Sequence, residues 1–233
     1  MLLQGKRYAL AIILVLSLGV GLRIFNLGKT DFWFDEAVNI LQAKNIERIN
    51  FLQSNNPPLY TIFLHFWSKF FNSEYGLRLI SAIFGSASIF IIYVLGKILY
   101  TGKIGLISAF LLAISPLHIY YSQELRMYSM VALLNLASAY FLVESLKKGS
   151  IRLWAGFVVF SILNVYCNYI GIFSWFAQAI FFFVVQTGPR AKDNKRWLVS
   201  NILIAISFIP WLYFFIKGMG SIEKNLLSVG ITP

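Results

Sequence analysis

The chain has 233 residues, of which 58% are hydrophobic, 17% aromatic and only 12% charged. That is more apolar surface than a soluble core of this length can hide, so an ordinary soluble globular protein is excluded and an all-α polytopic integral membrane protein remains. The net charge of +11 does not point to nucleic acid, because the basic residues are scattered between apolar runs rather than gathered on one polar face. They read as topology signals and lipid-phosphate contacts.

In chain order, Lys6 and Arg7 precede an apolar run from about Tyr8 to Val20. No A-x-A-like cleavage site follows it, so it reads as an uncleaved first span with a cytoplasmic N-terminus. From about Asn26 to Tyr75 the chain turns polar and carries the segment TDFWFDEA, Thr30 to Ala37, in which Asp35 and Glu36 stand beside Trp33 and Phe34. Such aromatics sit at headgroup depth, which puts the two acids at the lipid boundary. Within this loop Glu36 to about Ile46 and Tyr60 to Phe71 read as short helices, too short to cross the hydrocarbon and suited to lying in the interface.

Further apolar runs follow at about Leu77–Leu99, Ile104–Ile119, Met127–Leu146, Leu153–Tyr166, Ile170–Val185 and Leu198–Ile216. With the first they make about seven transmembrane helices. Alternate connections hold Lys97 and Lys103, then Lys147, Lys148 and Arg152, then Arg190, Lys192, Lys195 and Arg196, whereas the intervening ones hold one arginine and no lysine. The positive-inside rule makes the first group cytoplasmic and places the Asp35–Glu36 loop outside, on the side of Glu124 and Arg126. Residues 1–217 read as one membrane module. The remainder, 218–233, reads as an outer loop with no capped helix or basic stop after it, as in a fragment of something longer. The single cysteine, Cys167, rules out an internal disulfide or cysteine-based metal cluster within the chain and reads as a small buried hydrophobe.

Ionisable groups at membrane depth are costly unless partnered or hydrated, so their gathering at outer span ends needs a reason. Asp35 and Glu36 follow the first span, Arg78 opens the second, and Glu124 and Arg126 occupy the tight turn between the third and fourth. A carboxylate near a hydroxyl acceptor can act as general base, and a guanidinium near a phosphate can stabilise charge developing on a leaving group. Those are the two tasks of glycosyl transfer from a lipid phosphate. Plainer readings exist for each residue. Asp35 and Glu36 complement the dipole of a helix that starts there, Glu124 and Arg126 make a solvated turn pair, and Arg78 snorkels to headgroups. His65 and His118 read as packing residues.

The segments LGKTDFWFDEA, NPPLYTIFLHFW, SEYGLRLISAIFGSASIFIIYVLGK, SPLHIYYSQELRMYS and YCNYIGIFSWFAQ, in this order, resemble the N-terminal module of the GT-C membrane glycosyltransferases. The branch is the one similar to dolichyl-phosphate-mannose protein mannosyltransferases and bacterial lipid A aminoarabinose transferases. The resemblance implies an inverting transferase that takes a sugar from a polyprenyl-phosphate donor to a lipid, glycan or protein acceptor at the outer face of the bilayer. If the cell is prokaryotic, that bilayer is the plasma (inner) membrane. On this resemblance Asp35 is the general base with Glu36 as its neighbour, and Glu124 orients the acceptor or contacts a metal. Arg78 and, second, Arg126 meet the donor phosphate, and Asn56, Tyr60, Tyr128, Asn168 and Tyr169 belong to the acceptor or substrate pocket. Cys167 and Asn168 stand where relatives often have Thr and His, and Asn55-Asn56-Pro57-Pro58 replaces a frequent His-Pro-Pro, which points to a different substrate. No cofactor is required by the general-base scheme, and a divalent metal between Asp35 and Glu124 is left open. The rival reading is a non-catalytic transporter or flippase of lipid-linked sugars, which would bury its ionisable groups near the bilayer midplane rather than at outer span ends.

Overall fold

A computed structural model of the chain describes residues 2–48, 57–185 and 191–228, and their regular structure is helical throughout. The helices are α1 (Leu2–Ile24), α2 (Phe34–Lys44), α3 (Leu59–Trp67), α4 (Glu74–Leu99), α5 (Gly102–Ile114), α6 (Pro116–Gln123), α7 (Tyr128–Lys148), α8 (Ile151–Cys167), α9 (Ile170–Val185) and α10 (Ala191–Ser228), with a 3₁₀ turn at Ile46–Arg48.

Four helical stretches are long and apolar enough to cross a bilayer: Arg7–Ile24, Glu74–Leu99, Tyr128–Lys148 and Asn194–Tyr213. The pair α5 and α6 makes a fifth if its two halves, bent by 59°, are counted together. The helices α8 and α9, with 17 and 16 residues, rise only about 25 Å each against roughly 30 Å of hydrocarbon. The expected count of about seven thus divides into four long helices, one broken one and two short ones.

The break has a local cause. Pro116 has no N–H to give, and the residue before a proline is pushed out of the helical region. Ser115 accordingly sits at φ −63°, ψ 116° and its hydroxyl accepts from the His118 N–H at 3.5 Å, which starts α6 afresh. Elsewhere the ends follow ordinary capping chemistry. The Ser73 hydroxyl accepts from the Gly76 N–H at 3.1 Å to open α4, and Gly149 closes α7 at φ 61°, a left-handed position that suits glycine.

The helix α4 is the centre of the bundle and packs on α1, α5, α6 and α7, while α7 leads on to α8 and α8 to α10. It meets α5 at a glycine crossing, where a Cβ on Gly96 would lie 2.8 Å from the Gly105 Cα. Close approach through small residues is how helices associate in lipid. Beside the Asp35–Glu36 loop one apolar cluster joins Tyr60 and Leu64 of α3 to Leu77 and Ile80 of α4, Leu125, Met130 of α7 and Cys167. At the C-terminal end the chain departs from the expected outer loop at 218. The helix α10 runs through Pro210, Gly218 and Gly220 as far as Ser228.

Candidate active site

The geometry of the site starts from Glu36, which is 1% exposed, and Arg78, 4% exposed. The Arg78 guanidinium donates through Nε to Glu36 Oε1 at 2.9 Å and through Nη2 to Oε2 at 2.6 Å, a bidentate fork. The same carboxylate accepts the Leu125 N–H at 2.7 Å and the Trp33 N–H at 3.4 Å. Arg78 in turn donates to the carbonyls of Leu27, Thr30 and Asp31 at 3.3, 2.7 and 3.1 Å, and its guanidinium lies 5.0 Å from the Phe32 ring. One buried ion pair therefore ties together the loop after α1, the start of α2, the start of α4 and the turn between α6 and α7.

This pairing bears on two expectations. All three nitrogens of Arg78 are engaged with Glu36 and loop carbonyls, so it is placed as a fastener rather than as an open phosphate contact. Glu36 accepts from four donors on its two oxygens and is equally occupied. Neighbouring residues on a helix point about 100° apart, and Asp35 accordingly faces elsewhere. Its carboxylate is half exposed and its Oδ2 lies 3.3 Å from Arg126 Nη1. Arg126 also approaches the Tyr128 hydroxyl at 3.5 Å and the Tyr128 ring at 5.6 Å, and Tyr128 packs against Tyr121 with ring centroids 4.6 Å apart. A partly exposed pair of this kind is held weakly.

Glu124, the residue before the anchored Leu125, is buried to 8% exposure. Burial raises its carboxyl above the ordinary carboxylate range, the nearby Glu36 charge adds to this, and a hydrogen bond from Tyr120 works against it. A cavity of about 470 Å³ opens here. Its walls include Glu124, Tyr120 and Gln123 from α6 and its end, Lys29, Asp31 and Trp33 from the loop, and one side of the Glu36–Arg78 pair. Of these, Lys29, Asp31, Trp33, Tyr120 and Gln123 were not anticipated as site residues from the sequence. Gln123 fixes α6 on α1 by donating to the Leu22 and Phe25 carbonyls at 3.1 and 2.9 Å.

A second anchor lies behind the cavity. Arg23 of α1 is fully buried and donates to the Leu112 and Ala113 carbonyls, both at 3.1 Å, and to Gly19 O and His118 Nδ1, both at 2.8 Å. It thus satisfies carbonyls that the break between α5 and α6 leaves without helical partners. His118 is therefore more than packing, since it takes part in holding the bend.

The expected acceptor-pocket residues do not share one polar pocket, although Tyr60 and Tyr128 adjoin the same apolar cluster. Tyr60 is buried in the apolar cluster, and burial pushes its phenol well above the ordinary range. The Asn168 Oδ1 accepts from the Ile170 N–H at 2.9 Å and so opens α9. The Tyr169 hydroxyl accepts from Trp211 Nε1 at 3.0 Å, which ties α9 to α10. Tyr128 reaches Arg126, the partner of Asp35, and Asn56 lies outside the described residues. Among the described residues no three His, Cys, Asp or Glu side chains are grouped to hold a metal ion.

Compared with known protein families, residues 55–214 match the family described as dolichyl-phosphate-mannose-protein mannosyltransferase. The matched stretch begins after Asp35 and Glu36 and contains Arg78, Glu124, Arg126, Tyr128, Asn168 and Tyr169. A search of curated proteins found no match.

Proposed function

Since the chain belongs to the dolichyl-phosphate-mannose-protein mannosyltransferase family, and so is a membrane glycosyltransferase, we propose that it transfers a sugar from a polyprenyl phosphate to an acceptor hydroxyl on a lipid, glycan or protein. In this proposal α8 and α9 also cross the bilayer, giving seven spans, and the N-terminus is cytoplasmic. The Asp35–Glu36 loop then faces the outer side, where a lipid-linked substrate presents its head. The observation that supports this most is the buried pair of Glu36 with Arg78, which gathers Asp35, Glu124 and Arg126 at one end of the bundle beside a cavity of about 470 Å³, ample for a sugar headgroup.

In the reaction, Asp35 takes the proton of the acceptor hydroxyl while its oxygen forms the new bond at the anomeric carbon. The bond from that carbon to the phosphate oxygen breaks on the opposite face, and the electron pair leaves with the polyprenyl phosphate, so the configuration inverts. Arg126 trades its weak contact with Asp35 for the leaving phosphate. Glu124, Tyr120 and Gln123 hydrogen-bond the sugar hydroxyls, and Trp33 offers a ring face. Glu36 and Arg78 position these groups without touching substrate.

A second reading has one observation in its favour. Glu124 lines the cavity whereas Asp35 does not, and burial holds its carboxyl above the ordinary carboxylate range, which suits a proton acceptor. The proposed function is tested by supplying membranes that carry the chain with radiolabelled polyprenyl-phosphate sugars and, separately, nucleotide sugars. Label transferred from the lipid-linked donors alone supports the proposal. Transfer from nucleotide sugars, or from neither in a membrane with correctly inserted protein, overturns it.

A further inference from the structure

At the end of the bundle away from the acids, α8 and α10 leave a groove of about 650 Å³ between them. That this is the opposite end follows from the helices themselves. Arg78 lies near the start of α4, and Lys147, at the end of α7, donates to the carbonyl of Ile98 at the far end of α4, about 30 Å away along the helix axis. Arg196, near the start of α10, donates through Nη1 to the carbonyl of Gly149, which immediately follows α7.

The groove has three features that belong together. Its walls are almost wholly apolar, from Trp154, Ala155 and Val158 on α8 to Val199 on α10, while Lys195 and Arg196 stand along one edge. Lys195 is exposed. Trp154, 2% exposed, is one of the residues lining the groove, and its buried indole N–H has no acceptor among the described residues, a costly condition for a buried donor. An apolar trough with cations at one end and an unmatched donor in its wall suits a ligand with a hydrocarbon tail, ester oxygens and a negative head.

We propose that this groove is a binding site for an anionic phospholipid of the bilayer, with one acyl chain between α8 and α10, the head phosphate at Lys195 and Arg196, and a phosphate or ester oxygen accepting from Trp154. The proposal needs only that the chain spans a membrane and does not rest on glycosyl transfer. Its occupant would fasten α10 to α8.

The test uses the whole chain in phosphatidylcholine vesicles containing a minor, equal mole fraction of either brominated phosphatidylglycerol or brominated phosphatidylcholine. Quenching by bromine is read as tryptophan fluorescence, and the contribution of Trp154 is isolated by subtracting Trp154→Phe. The expected result is stronger quenching of Trp154 by the brominated phosphatidylglycerol. Lys195→Gln should weaken that preference about fivefold, the effect of one cation near an anionic surface. Ala155→Phe, at an exposed position that fills the trough and leaves the charges alone, should abolish it. Equal quenching by the two lipids overturns the proposal, as does a preference that survives both substitutions. Displacement of the quencher by a small amount of polyprenyl phosphate but not by phosphatidylglycerol would also overturn it, in favour of the donor's own tail.

Discussion

Replacing Glu36 by Gln tests the claim that one ion pair assembles the site. The substitution keeps the shape but turns one acceptor oxygen into an NH₂, so a donor now faces Arg78, Leu125 N–H or Trp33 N–H where all three donate toward Glu36. It also leaves the Arg78 cation buried without its counter-charge. Breaking a buried pair from one side costs about 3–5 kcal/mol, and the lower end applies here because Arg78 keeps its carbonyl partners at Leu27, Thr30 and Asp31. For a chain of this size each kcal/mol moves Tm by about 2–4 °C, which for about 3 kcal/mol gives a fall of about 6–12 °C. Cys167, the single cysteine of the chain and a fully buried one, supplies the assay. Its reaction with a thiol-reactive fluorophore during heating in detergent reports unfolding. Asp35→Asn breaks only a half-exposed contact and should melt within about 1 kcal/mol of the wild type. The double substitution Glu36→Leu with Arg78→Met, which removes both charges, should recover part of the loss. A Glu36→Gln protein that melts with the wild type, or no lower than Asp35→Asn, would refute the reasoning.

Three further outcomes follow from the same structure. Because the folded protein holds the Glu124 carboxyl above its ordinary range, the folded state binds that proton more tightly than the unfolded chain. The resulting stability is fully present below the ordinary carboxylate pKa and lost as pH rises through the raised one. Melting temperature should therefore fall with pH across that window, and Glu124→Gln should remove the slope, whereas an unchanged slope would contradict the assignment. Arg23→Met strips donors from three carbonyls and from His118 and should cost about 3 kcal/mol or more, seen as earlier labelling of Cys167; a loss below about 1 kcal/mol would mean that the bend between α5 and α6 holds itself. In Gly85→Ala the new Cβ would stand 2.0 Å from Ser122 Oγ and 2.7 Å from Ser122 Cβ. The hydroxyl can rotate away but the Cβ cannot, so a loss of about 1–3 kcal/mol is expected even in the background of Ser122→Ala, measured by the same assay.

Much of the architecture was legible because a membrane imposes simple rules. Apolar length marked the helices, and two of the acids at span ends, Glu36 and Glu124, do line one cavity. What one sequence could not convey is which of two adjacent acids turns inward. Asp35 and Glu36 differ by about 100° of helix rotation, and only the position of Arg78, 42 residues later, shows that Glu36 is the buried one. Arg23 was overlooked for a related reason, since its partners are carbonyls of a helix 90 residues away, which no side-chain pattern reveals. The break at Ser115–Pro116 did have a signal, the Ser-Pro dipeptide, but a long apolar run around it read as one helix. At the other end the stretch from Gly218 read as an outer loop, yet glycines lower helix propensity only modestly, and α10 continues to Ser228.

The central claim is that Asp35 acts in chemistry while Glu36 holds the site together. It is tested most directly by sugar transfer from a radiolabelled polyprenyl-phosphate donor in membranes carrying wild type, Asp35→Asn and Glu124→Gln at matched expression, each with its Cys167 melting curve. The account predicts that Asp35→Asn loses transfer by at least about a hundredfold, the usual contribution of a general base, at an unchanged melting temperature. Full transfer by Asp35→Asn, with the loss falling on Glu124→Gln instead, would contradict it and hand the role of base to Glu124.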